Sequence, residues 1–147
     1  MKPFFSIPFF DIPPGIAVVW VLAGSLSLPA AAPRDSLAGD LPTTVESGVY
    51  RVFGDIYVPA GKTVSIEEGT VFLFNNFTGL HVEGVLLAHG TKRDPIIFTS
   101  ANDRAYAADT MLVANPYDWN GISVHEDAVG TTMEHFTVSY SVYGIHS

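Results

Sequence analysis

The side chains best suited to chemistry recur at equivalent places of one repeated phrase. The phrase reads GDIYVPAG, TGLHVEG and NGISVHE along the chain, and its opening returns as YGIHS. The place after the apolar residue is taken by Tyr57, His81, Ser123 and His146. Two places later stand Pro59, Glu83 and His125. A phenol, imidazoles and a carboxylate thus share one pattern.

Strand alternation places these residues on one face. If Ile56 and Leu80 point inward, Tyr57 and His81 point outward, and Glu83 and His125 belong to the next outward column. Such a face could bind a small sugar or a metal ion. Alternatively it only meets solvent, because alternation alone puts polar residues outside. We keep Tyr57, His81, Glu83 and His125 as candidate ligand-binding residues, and assign no residue as a metal ligand and no cofactor.

Two aromatic residues, Tyr117 and Trp119, complete the candidate ligand-binding set. They stand at the end of a segment that interrupts the repeat. Their rings could stack on a sugar. The indole could instead cap the hydrophobic core where the inserted segment rejoins the repeat, and we favour the cap for Trp119.

Acidic residues give no catalytic or calcium motif. Glu67 with Glu68, and Glu126 with Asp127, are adjacent pairs, and neighbours on a strand point to opposite faces. They are expected in turns and not as a glycosidase pair. The acidic and amide residues of residues 102–119 lack the spacing of a calcium loop. We predict no catalytic residue.

A repeat step of 24 residues relates the elements that must position these side chains. It joins Ile56 to Leu80, and also Phe72 to Ile96 and Phe74 to Phe98. The step grows to 42 from Leu80 to Ile122, and to 40 from Ile96 to Phe136 and from Phe98 to Val138. Residues 102–119 are therefore read as one insertion. After it the step is 23, from Ile122 to Ile145.

Each repeat contains about three short strands, such as IYV, VSI, FLF and LHV, separated by Gly, Pro, Asn or Asp. A coil of this kind cannot bury its inner face alone, so coils must stack and form ladders of like residues. The predicted fold is all-β, a parallel solenoid of about three to four coils of 24 residues. Gly79, Gly121 and Gly144 suit a tight corner before the first ladder.

The runs GDIYVPAGKTVSIEEGTVFLF, TGLHVEGVLLAHGTKRDPIIFTSAND, DWNGISV and EHFTVSYSVYGI resemble the N-terminal part of right-handed parallel β-helix repeat proteins of the pectin-lyase-like superfamily. The resemblance implies the right-handed solenoid. It does not imply one activity, because the superfamily includes polysaccharide lyases, hydrolases, epimerases and adhesins. The corresponding insertion in such relatives is often rich in Gly and Asp. Here it carries alanines and aliphatic residues.

Composition and the N-terminus bear on location and partners. The 147 residues carry a formal charge of −8, which repels a phosphate backbone and argues against nucleic acid. Residues 1–32 resemble a secretory signal peptide with a signal-like helix. Their apolar run is shorter than the roughly 20 residues of a membrane anchor. We predict a signal peptide at 1–32, a linker at 33–47 and a β-helix domain at 48–147, secreted or on a bacterial cell surface.

The last phrase opens a coil without a polar cap, so we expect either a longer protein, truncated here at its C-terminus, or self-association through the open coil end. The predicted function is an exported noncatalytic β-helix module for surface display, adhesion or glycan contact, with a polysaccharide or cell-surface glycan as partner. One alternative is the N-terminal fragment of a polysaccharide-active lyase or hydrolase whose catalytic coils are missing. Another is an N-terminal region that only starts a longer helix.

Overall fold

The computed structural model describes residues 35–107 and 111–147, which contain β-strands and no helix. The signal peptide and signal-like helix predicted for residues 1–32 lie outside this part. The described part holds no helix with the length and apolar character needed to span a membrane. The all-β prediction is confirmed for these residues.

Twelve strands follow one another in the described part, most of them short. They are β1 (Asp35–Asp40), β2 (Thr44–Val45), β3 (Val49–Val58), β4 (Thr63–Ile66), β5 (Val71–Phe74), β6 (Gly79–Val82), β7 (Val85–His89), β8 (Ile96–Ser100), β9 (Gly121–Val124), β10 (Thr132–Glu134), β11 (Phe136–Val138) and β12 (Ile145–His146). Turns and loops separate them.

Every strand pairing is parallel. One sheet has the order β11-β8-β5-β3-β6-β9-β12, with β1 also on β3, and the other has the order β10-β7-β4-β2. The first part of β3 pairs with β5 and its last part with β6. From β4 onward each strand therefore pairs with the strand three places further along the chain. We call β4 to β6, β7 to β9 and β10 to β12 three-strand units, and β2 with the two parts of β3 the first unit.

The two sheets curl around one apolar core. Inward side chains from successive units pack there, including Ile56, Phe72, Leu80 and Phe98. Strand β5, VFLF, is buried on both faces, because residues of the insertion such as Ala101 and Ala107 cover its outer side. A strand buried on both faces reads as a continuous apolar run, which explains its sequence.

The ladder that begins at Ile56 has the predicted register. Its Cα partners are Ile56, Leu80, Ile122 and Ile145. The insertion of residues 102–119 lies between β8 and β9 and does not disturb this register. The predicted partners Ile96 with Phe136 and Phe98 with Val138 are also found.

The predicted partners Phe72 with Ile96 and Phe74 with Phe98 are wrong by two residues. Phe72 pairs with Phe98, and the two rings stack 5.2 Å apart. The connection from β7 to β8 is two residues longer than that from β4 to β5, as the strand bounds show. Because side chains alternate with a period of two, this shift keeps every inward residue inward, and the hydrophobic pattern cannot reveal it.

The stretch predicted as a linker, residues 33–47, contains strands β1 and β2. Strand β1 pairs with β3, β2 pairs with β4, and Leu41 and Val45 are buried in the core. The sequence of β1, DSLAGD, has no sustained alternation. Its strand form follows from pairing with the long β3, and a polar sequence suits an outermost strand.

Candidate functional site

The predicted outward column lies on the outer face of the sheet formed by β3, β6, β9 and β12. The Cα atoms of Tyr57 and His81 are partners, as are those of His81 and Ser123 and of Ser123 and His146. Tyr57, His81 and Ser123 are half-buried, whereas their inward neighbours Ile56 and Leu80 are buried. The structure therefore brings this column together as alternation requires.

Tyr57 and His81 form a stacked ring pair. Their ring centroids lie 5.0 Å apart and their planes differ by 18°. The separation is close to the spacing of neighbouring strands, so the two rings lie flat on one another along the ladder. Such a pair offers an apolar ring surface with a hydroxyl and an imidazole at its edges.

Asp55 adds a carboxylate to this pair. Its Oδ1 accepts a hydrogen bond of 2.8 Å from the backbone N–H of Gly79, and its Oδ2 lies 3.7 Å from His81 Nε2. This second distance is slightly longer than a hydrogen bond. His81 Nε2 is enclosed by protein atoms and has no hydrogen-bond partner in the described part of the chain. The side chains of His81 and Asp55 remain 36% and 38% exposed, so a ligand could reach both.

The sequence analysis missed Asp55, although the repeat contains a signal for it. Asp55 precedes Ile56 as Gly79 precedes Leu80 and Gly121 precedes Ile122. The corner is glycine in the later units and aspartate in this one. An exception to a repeated glycine at a position beside the outward column marks a side chain with a task, here the bond to Gly79.

The ring stacking argues against a serine nucleophile in this column. A serine is activated by a hydrogen bond between its hydroxyl and an imidazole nitrogen. The imidazole lies flat on Tyr57, so its nitrogens point within the plane of that rung, and Ser123 on the next rung meets the face of the ring. The geometry favours binding over nucleophilic catalysis.

The second outward column leads to a shallow cleft beside the first. Glu83 and His125 line it together with Ala60 and Asp127, and its volume is about 310 Å³. His125 Nδ1 lies 3.3 Å from the Asp127 N–H and 3.4 Å from Asp127 Oδ2. A neutral imidazole can accept from the amide, and a protonated one can donate to the carboxylate. The predicted pair Glu83 and His125 is thus brought to one place.

The candidate aromatic residues Tyr117 and Trp119 have different positions. Trp119 has 0% exposure, stacks on Phe74 with centroids 4.1 Å apart, and donates from Nε1 to the Ser139 carbonyl oxygen at 2.7 Å. This is the core cap, and a buried indole offers no face to a sugar. Tyr117 is 67% exposed and can contact a ligand.

The adjacent carboxylates lie in turns. Glu67 and Glu68 connect β4 to β5, and they line an open cleft of about 600 Å³ with His89 and Asp94 among its other residues. Glu67 Oε2 accepts from the Ser47 N–H at 3.1 Å. No group of three or more His, Asp or Glu side chains in residues 35–107 and 111–147 is arranged to hold a metal ion.

Comparisons with known proteins return no relative for this chain. No family model, no curated protein and no solved structure matches it. The function of the outer face is therefore inferred from the chemistry of its own residues: a stacked phenol and imidazole, a carboxylate beside them and a cleft next to them.

Proposed function

We propose that the chain is an exported, noncatalytic right-handed parallel β-helix module that contacts glycans at a cell surface. The parallel pairing of every strand with the strand three places further supports a solenoid. The right hand is expected because parallel crossovers are nearly always right-handed. Export rests on the signal-like pattern of residues 1–32 and on the resemblance to pectin-lyase-like proteins.

One observation carries the glycan contact: the stack of Tyr57 on His81 beside Asp55. Aromatic rings can hold the apolar face of a sugar ring, and Asp55 Oδ2 can accept a hydrogen bond from a sugar hydroxyl. Tyr57 and His81 lie on paired strands of a sheet, so both rings are held in place before a ligand arrives. The cleft at Glu83 and His125 would extend the contact.

Affinity electrophoresis in gels that contain neutral or acidic polysaccharides tests this function. We expect at least one polymer to retard the full chain, and we expect Tyr57→Ala and His81→Ala each to weaken retardation. Thr63→Ala, exposed on the other sheet, is the matched control and should not change it. Unchanged retardation in both outer-face variants, or none in any polymer, would contradict the proposal.

The cleft with Glu83, His125 and Asp127 favours one second candidate, part of a polysaccharide-active lyase or hydrolase. A carboxylate and an imidazole in one cleft can transfer protons. Release of reducing ends from polygalacturonate or from a neutral polysaccharide by the full chain, abolished by His125→Ala, would support it. Binding without cleavage favours the noncatalytic module.

Self-association is a further part of the proposal. Strands β10, β11 and β12 each have a neighbour on one side only in the described part of the chain, and Ile145 of the inward ladder is 44% exposed. An edge with unpaired backbone groups can accept another strand. Sedimentation velocity over a range of concentrations should show a dimer, and a monomer at all concentrations would oppose it.

A further inference from the structure

Exposed aromatic side chains gather at one corner of the fold, away from the outer face already described. The corner lies between the second and third strand positions of each unit. Its aromatic residues are Phe53, Phe77, Tyr117 and Tyr140, exposed by 56%, 76%, 67% and 39%. We call these four residues the aromatic corner. Each three-strand unit contributes one of them.

Backbone hydrogen bonds connect the aromatic corner from unit to unit. The Phe77 N–H donates to the Asp118 carbonyl oxygen at 3.2 Å, and the Asp118 N–H donates to the Tyr140 carbonyl oxygen at 3.0 Å. The Asn120 side-chain amide donates to the Phe77 carbonyl oxygen at 2.7 Å. Phe77, Tyr117 and Tyr140 therefore follow one another along the stack of units.

Three of these aromatic residues have left-handed backbone conformations. The φ angles are +62° at Phe77, +77° at Tyr117 and +62° at Tyr140. Glycine or asparagine adopts this conformation more easily than an aromatic residue does. The turns alone therefore do not account for the rings. Strained residues persist where the surroundings fix them, and such places often bind ligands.

An uncharged cleft lies against the aromatic corner. Its lining residues are Phe53, Asn75, Asn76, Ala101, Asn102 and Leu112, and its volume is about 420 Å³. Phe77 follows Asn76 directly in the chain. Tyr117 precedes Asp118, whose carboxylate accepts from the Asn102 amide. The cleft and the exposed rings thus form one continuous surface.

The wall of the cleft is held by an internal network around Asp118. Its Oδ2 accepts from the Ser100 hydroxyl at 2.5 Å, from Asn102 Nδ2 at 3.2 Å and from the Asn115 N–H at 3.2 Å. Arg104 donates to the carbonyl oxygens of Met111 and Leu112. The carboxylate and the guanidinium are thus engaged within the loop, and the amides of Asn75 and Asn76 face the cleft with no charged side chain among its lining.

We infer that the aromatic corner and this cleft bind a neutral oligosaccharide. Side-chain amides both donate and accept hydrogen bonds, which matches sugar hydroxyls. Exposed rings suit the apolar faces of sugar rings. An acidic polymer would find no cation in the cleft and a chain of net charge −8 around it. The site uses none of the residues of the Tyr57–His81 face and stands without it.

The test uses the full chain that carries Tyr57→Ala and His81→Ala, so that the outer face supplies no stacking. The probes are three neutral polymers, hydroxyethylcellulose, galactomannan and xylan, and one acidic polymer, polygalacturonate, each set in a native gel. We expect at least one neutral polymer to retard this background, with no dependence on salt. The proposed function is tested separately, by the difference between the background and the unaltered chain.

Ring removal then locates the site. Phe77→Gly with Tyr117→Gly removes both rings and suits the positive φ angles, and should weaken retardation by the neutral polymer by about tenfold or more in Kd. Tyr117→Phe keeps the ring and should retain binding. Val129→Ala, exposed at another corner, is the control for folding and mobility.

Three results would overturn the inference. They are no retardation of the background by any of the three neutral polymers, full retardation after both glycine substitutions, and retardation by polygalacturonate alone. Near-ultraviolet circular dichroism of each variant confirms that the core around Trp119 is intact before the gels are compared.

Discussion

Trp119 lies face to face with Phe74, with their ring centroids 4.1 Å apart and their planes 9° apart. Phe74 belongs to the second unit, and Trp119 ends the insertion that leads into β9. Ser100, the Cα partner of Phe74 in the third unit, is too small to cover the phenyl ring. The indole fills the space that the small serine leaves, and this joins the insertion to the core.

Replacing Trp119 by Ala should destabilise the protein strongly. The substitution removes a fully buried ring and the hydrogen bond from Nε1 to Ser139, so we expect a loss of about 3–5 kcal/mol in the free energy of unfolding. Urea unfolding followed by circular dichroism measures it. Tyr117→Ala, at the exposed neighbour, should change this free energy little, and equal losses for the two variants would contradict the assignment of Trp119 as the cap.

Gly121→Ala should also destabilise the fold. Gly121 has φ of +116°, and an added Cβ would meet the Gly144 carbonyl oxygen at 2.5 Å. Strain and crowding together should cost about 2–4 kcal/mol. Gly61→Ala is the matched control, because its φ of +72° is strained but no atom lies within 4 Å. A loss for Gly121→Ala no greater than that for Gly61→Ala, measured by thermal unfolding, would count against the close approach.

Asp55 should act through its hydrogen bond to Gly79 more than through its charge. Asp55→Ala leaves the buried N–H of Gly79 without an acceptor and should lower the free energy of unfolding by about 1–3 kcal/mol. Asp55→Asn keeps a carbonyl oxygen there and should stay within about 0.5 kcal/mol of the parent. If Asp55→Asn loses as much as Asp55→Ala, the carboxylate charge is what matters.

Engineered disulfides can test the parallel register. Ser65 and Leu87 are Cα partners on β4 and β7, at a strand spacing of about 4.8 Å that a disulfide can bridge. Ser65→Cys with Leu87→Cys should oxidise readily in a chain that has no other cysteine. Ser65→Cys with Val85→Cys is offset by two residues, about 8 Å apart, and should not. Non-reducing electrophoresis distinguishes the two, and efficient closure of the offset pair would indicate a different register.

The sequence predicted the ladder through Ile56, Leu80 and Ile122 because one glycine-led phrase marks each rung. It failed for Phe72, since nothing in the apolar pattern separates a step of 24 from a step of 26 when side chains alternate by two. Connection length decided that pairing. The alternation pattern also missed β1, whose strand form depends on its partner β3.

The site was predictable to a similar extent. Tyr57 and His81 follow from alternation alone, and the structure adds that their rings stack. The aromatic corner could not be predicted, because Phe53, Phe77 and Tyr117 are separated by unequal steps and meet only through the stacking of turns. Their positive φ angles, which single out Phe77 and Tyr117, have no signature in residue type.

The register of β6 on β9 is unaffected by the length of chain between them. His81 and Ser123 are Cα partners across the insertion just as Tyr57 and His81 are partners without one. Lengthening a flexible loop costs little, about 0.6 kcal/mol for each doubling. Segments placed after Ala107, where the insertion no longer covers β5, are thus decoupled from the scaffold. A foreign epitope grafted there would be carried on a rigid frame, which makes this chain a natural host for peptide presentation.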